Sequence, residues 1–113
     1  MNSTSHNLII ECLKQLEDRH LQENLWTGKR LPEQSDFIEA VEGLFTDSAL
    51  GDALHSNATG YSKETESKLW ELEKQLKKVD QHGGAMKIIN DPAMPRVREL
   101  AADIRSLIES EMK

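Results

Sequence analysis

The stretch that most constrains this chain is residues 62–82, SKETESKLWELEKQLKKVDQH. Leu69, Leu72, Leu76 and Val79 recur there at alternating spacings of three and four. On a helix this spacing gathers all four on one narrow stripe and leaves the remaining faces polar. Ser62 is placed to cap the N-terminus, and Glu64 and Glu66 complement the positive end of the helix dipole. Gly83-Gly84 can end the helix. A helix cannot bury its own stripe, so the chain must supply partner helices.

Three other segments have the required pattern. Leu8, Ile9, Cys12, Leu13 and Leu16 share one face of a first helix, running from residue 4 or 5 to residue 24, and His20 falls on that face too. Ile10, Leu21 and Leu25 widen its apolar surface, which predicts two neighbours. Thr27-Gly28 ends it, and a connection with Trp26 and the basic pair Lys29-Arg30 follows. The Gly28-Lys29-Arg30 triplet lacks the upstream glycines and the following hydroxyl of a phosphate loop. A second helix, 32–45, opens on Pro32 and carries Phe37, Ile38, Val41, Leu44 and Phe45 on one side. Thr46 or Asp47 then caps a short helix, 48–55, that buries Leu50 and Leu54.

Beyond the double glycine, Met86, Ile88 and Ile89 read as a single helical turn. Asp91-Pro92 reads as the N-cap and first residue of a last helix, whose first turn must also hold Pro95. Val97, Leu100, Ala101, Ile104, Leu107 and Ile108 give that helix a broad stripe. No stretch alternates with period two. The expected fold is all-α: one domain over 1–113, a compact bundle of four main helices with one or two short extra ones. The last two long helices are joined by about a dozen residues and are expected to pack antiparallel.

Several function classes are set aside by the same residues. No apolar run of about 18 residues exists, so no membrane span is expected. The first residues lack a basic and then a long apolar region, so no signal peptide is expected. The single cysteine, Cys12, excludes an internal disulfide and fits a reducing compartment, so the expected location is cytoplasmic. Asn57-Ala58-Thr59 is then a chance match to a glycosylation site. Glu17-x-x-His20 has the spacing of half a carboxylate-bridged di-metal site, but no second Glu-x-x-His exists. We therefore read His20 as a core-edge residue and Cys12 as a buried structural thiol, with no metal and no cofactor. No acid–base pair, activated nucleophile or phosphate cradle is present, so the chain is not expected to be an enzyme.

Charge is the feature that points to a function. The net charge is −6, and residues 31–62 contain no Lys or Arg but hold Glu33, Asp36, Glu39, Glu42, Asp47 and Asp52. Those six acids are the whole excess, since the rest of the chain has 14 acids against 14 bases. A nucleic-acid binder has the opposite bias. Glu33, Asp36, Glu39 and Glu42 recur every three residues opposite the apolar side of the second helix. Such like-charge neighbours repel by a few tenths of a kcal/mol, roughly, per pair. A solvated face is the plainer explanation, yet mixed charge is the ordinary way to solubility. Trp70 lies about 100° around its helix from Leu69, among Glu66, Glu73, Lys74 and Lys77. It either packs on the first helix or under a loop, or it anchors a partner, and Trp26 has the same two readings. The expected function is a small acidic protein-binding module of immunity, inhibitor or chaperone type. It would dock a basic partner protein through the acidic 33–52 surface with Trp70. The alternative is a homodimeric helical protein with a structural or subunit role and no catalytic activity.

Overall fold

The computed structural model describes residues 6–23, 36–56, 59–80 and 85–111, without the side chains of Asp36, Asp47 and Ala85. Seven α-helices lie within them: α1 (His6–Glu17), α2 (Arg19–Leu21), α3 (Asp36–Glu42), α4 (Leu50–His55), α5 (Lys63–Lys78), α6 (Ala85–Ile89) and α7 (Met94–Glu111). A π-helical segment, Gly43–Asp47, continues α3. No strand occurs among the described residues. The chain is a small all-α bundle in which α1, α3, α5 and α7 are the main helices. Among the described residues no helix is long and apolar enough to cross a membrane.

The centre of the bundle is α7. Its stripe of Met94, Val97, Leu100, Ala101, Ile104 and Ile108 is buried, with α1 and α5 packed on it. α1 contributes Ile9, Cys12, Leu13 and Leu16, and α5 contributes Leu69, Leu72 and Leu76. Side-chain pairs fix the directions. Thr65 meets Glu111, Lys68 meets Asp103 and Glu71 meets Arg96, so α5 and α7 are antiparallel, as the sequence predicts. Glu17, the last residue of α1, meets Arg105, and Gln22, just past α2, meets Arg98, so the segment from α1 through α2 runs antiparallel to α7 as well. α3 and the π segment join through α1, burying Phe37, Ala40 and Leu44. Gly43 permits that approach, because a Cβ there would lie 2.7 Å from Cys12 Sγ. Cys12 is a buried thiol, as read from the sequence.

Several local expectations are corrected. The first helix does not run unbroken to residue 24. Asp18 leaves the helix (φ −112°, ψ 108°), and its carboxylate accepts from His20 N at 2.9 Å and Leu21 N at 3.3 Å, starting α2 afresh. The restart shifts the phase, so His20 is exposed rather than at the core edge. Gln22 takes the buried place instead. Its Nε2 donates to the Gln15 and Leu16 carbonyls at 2.9 Å each, and its Oε1 accepts from Arg98 Nε at 3.1 Å. The apolar side of α3 is narrower than expected: Val41 and Phe45 are half-buried and Ile38 is exposed. α4 begins at Leu50 rather than residue 48, with the Leu50 N–H donating to Ser48 Oγ at 3.2 Å.

A further correction is the end of α5. It stops at Lys78 because Val79 is extended and Asp80 N donates to Asp91 Oδ2 at 2.9 Å, turning the chain away early. Val79 still completes the buried stripe. His82, Gly83 and Gly84 lie outside the described residues, as do Trp26, Lys29, Arg30, Pro32 and Glu33.

The helix start read from the sequence holds at α5, whereas the last helix begins at Met94 rather than at Pro92, with Asp91 in the turn before it. Asp91 Oδ1 accepts from Ala93 N at 2.8 Å, ahead of α7, whose first turn contains Pro95. Ser62 Oγ accepts from Thr65 N at 3.2 Å. In a capping box the third helical residue is an acid that reaches back to the N–H of the cap. Thr65 occupies that place here, and the acid arrives from the far end of α7. Glu111 accepts from Ser62 N at 2.9 Å, Ser62 Oγ at 2.8 Å and Thr65 Oγ1 at 2.6 Å. The hydrogen bond from Thr65, then that from the Ser62 backbone, holds the Glu111 carboxyl below its ordinary range.

Two outcomes follow from this packing. Leu72→Ala and Ile104→Ala should each destabilise the protein by about 2–4 kcal/mol, read from the denaturant midpoint; an unmoved midpoint would place that side chain outside the core. Glu111 has a depressed folded pKa, so its contribution is complete above the unfolded value of about 4.3 and fades as pH falls through the folded value. Glu111→Gln should therefore be less stable than wild type at neutral pH, with the gap closing in acid. A gap independent of pH would show that the charge of this carboxylate is not what α5 uses.

Candidate functional site

The acidic residues divide by where the fold puts them. Glu39 and Glu42 are exposed on α3, and Asp52 is exposed on α4. Asp36 heads α3 and Asp47 ends the π segment, with side chains outside the described set, and Glu33 lies outside it altogether. Glu42 and Asp52 have no ion-pair partner among the described residues. The other side of the molecule is different. Arg105 pairs with Glu17 and Glu109, Arg96 with Glu71 and Glu99, and Lys68 with Asp103. Charge is therefore balanced locally across α1, α5 and α7, and the surplus negative charge belongs to the arm formed by α3, the π segment and α4.

Trp70 is brought to this arm. It is 39% exposed, and its ring meets His55 of α4 edge-to-face, with centroids 5.1 Å apart and planes at 78°. His55 and Asp52 are three residues apart on α4 and so share a face. Asp52 is thus on the side of α4 that meets Trp70. No sequence signal marked His55, whose role depends on where α4 crosses α5.

A cleft of about 190 Å³ separates the arm from α5. Phe37, Val41, Phe45 and Leu76 give it apolar walls, and Glu42, Thr46, Glu73 and Lys77 surround them. Glu73 and Lys77 face each other across 3.8 Å. Trp70, Glu73 and Lys77 fall on one stripe of α5, so the cleft and Trp70 are on the same side of that helix. The backbone of the opposite wall is irregular. Ser48 N donates to the Gly43 carbonyl at 3.1 Å, the long spacing of a π turn. Ala49 follows in the left-handed region at φ 66°. Gly43 inside a helical pattern is the one sequence signal that could have marked this irregularity.

Polar groups elsewhere have structural partners. Tyr61 Oη lies 2.6 Å from His6 Nδ1, with the rings edge-to-face. Burial, and then the charge of Glu111, push the Tyr61 hydroxyl up to about 12. Arg98 donates to Gln22 and to the Ile89 carbonyl, tying α6 to the bundle. Burial, then the nearby Arg19 charge, lowers its pKa. Among the described residues no three His, Cys, Asp or Glu side chains are grouped to hold a metal ion. Compared with protein-family models, with curated proteins and with solved structures, the chain matches none.

The contact that seats the arm makes a sharp expectation. Gly43→Ala should destabilise by about 1–3 kcal/mol through overpacking against Cys12. The same change in a Cys12→Ala background should cost clearly less, because the sulfur is gone. Equal costs in the two backgrounds, measured as a double-mutant cycle, would mean the arm does not rest on that contact.

Proposed function

We propose that the protein is a non-catalytic binding module that docks a basic partner protein through the acidic arm, in the manner of small immunity proteins, inhibitors or chaperones. The observation that carries this reading is the pair of exposed acids, Glu42 and Asp52, without ion-pair partners among the described residues, in a segment free of Lys and Arg. A one-sign field of this kind speeds encounter with a basic surface and suppresses wrong partners. Trp70 supports the reading as an exposed aromatic beside the arm, the residue type that dominates binding hot spots. A single, buried cysteine fits a reducing compartment, and the cytoplasm is the proposed location.

Capture from native cell extract tests it, with immobilised wild type beside the Glu42→Lys/Asp52→Lys variant. Both sites are exposed, so circular dichroism should be the same for the two proteins. A basic protein held by the wild type, lost by the variant and released by salt is the expected result. Its association rate should fall steeply as the screening length shortens from about 10 Å at 0.1 M salt. A partner retained equally by both proteins, or binding at a salt-independent rate, would overturn the acidic docking surface.

A further inference from the structure

The apolar groups left accessible on the arm and on α5 lie side by side. Val41 and Phe45 stand on one wall of the cleft, both half-buried, and the buried Leu76 backs the other. Ile38 is one turn before Val41 on the same stripe of α3 and is 39% exposed. Trp70 is seven residues before Lys77 on α5, about 10 Å along the axis, which is two helical turns. Charge flanks this line unequally. Glu73 and Lys77 offset each other on the α5 wall. The arm wall carries Glu42, with exposed Glu39 a turn earlier and Asp52 a turn from the His55 that meets Trp70.

Resting on the docking reading above, we infer that this groove takes a basic amphipathic helix of the partner protein. Apolar side chains two turns apart, at i and i+7, would sit in the cleft and against Trp70, and Lys or Arg on the flanking face would meet Glu42 and Asp52. Two helices form the walls, and no strand edge among the described residues is available for extension by a peptide strand, so helix-in-groove docking is the mode that fits. The charge selects the occupant. A second copy of this chain would bring its own acidic arm against the first, whereas a basic helix neutralises it.

The test uses amide chemical shifts of the full chain, titrated with a short peptide of Leu and Lys patterned as an amphipathic helix. A Leu/Glu peptide of the same pattern and a scrambled Leu/Lys peptide are the controls. The Leu/Lys peptide should shift amides of residues 41–46 and 70–77 and saturate, with both controls weaker by about tenfold or more. Trp70→Ala and Val41→Ser should each weaken it by a similar factor, and their own amide spectra report that they remain folded. Shifts confined to Glu39, Glu42 and Asp52, with Trp70→Ala binding as wild type, would overturn the groove while leaving acidic docking in place. Equal binding of the Leu/Glu peptide would remove the charge argument and both readings with it. Concentration-dependent shifts of the groove amides without any peptide would assign the groove to a second copy and overturn the inference.

Discussion

The arrangement depends on the burial of one stripe, that of α7, on two sides at once. Met94, Val97, Leu100, Ala101, Ile104 and Ile108 are all inaccessible, and no single partner helix could cover so broad a band. α1 takes one flank and α5 the other, each with a buried stripe of its own. Ion pairs then close the edges of both seams without carrying the stability: Arg105 with Glu17 on one side, Arg96 with Glu71 on the other. Partly exposed pairs of this kind contribute little beyond register. α3 and the π segment join the core mainly through α1, with α3 also touching α6, so Phe37, Ala40 and Leu44 belong to the same apolar cluster as the α7 stripe.

Helix ends in this protein are closed by distant groups. Glu111, from the last turn of α7, completes the N-terminal cap of α5. Asp91 serves two chains of bonds, accepting from Ala93 N ahead of its own helix and from Asp80 N after α5. Gln22 satisfies two carbonyls at the end of α1 while receiving Arg98 from α7. Each device meets an orphaned backbone group that would otherwise be left without a partner. Glu111 also couples two helices, since a carboxylate at the negative end of α7 becomes favourable beside the positive end of α5.

This explains which parts of the fold were legible. The Leu69, Leu72, Leu76 and Val79 stripe and the Ser62 cap depend on spacing within a few residues, and both were readable. The break at Asp18 was not, because apolar periodicity from Leu8 to Leu21 continues across it and only the cap geometry interrupts the helix. The early end of α5 was hidden for the opposite reason: Gly83-Gly84 is a strong local stop, but Asp80 is drawn off sooner by Asp91, eleven residues away. For the candidate site, the exposed acids followed from composition and period. The contact of Trp70 with His55, the exposure of Ile38 and the cleft all depend on how α4 and α3 cross their neighbours, which a single sequence does not encode locally.

Where levels of organisation agree, a sequence specifies its structure tightly, and natural chains depart from that agreement mainly at working surfaces. The departures here are not scattered. Like charges recur along α3, where they oppose helix formation. The π segment follows directly, then Ala49 with a backbone that favours glycine. Ile38 lies open to solvent beside them. In α5 and α7 the same categories are in order: paired charges, regular backbone, sealed apolar stripes. Stability alone gives no reason for such irregularities to gather on one arm, since each has an easy remedy in a lysine, a glycine or a smaller side chain. What the arm keeps by forgoing those remedies is an acidic wall beside an apolar cleft.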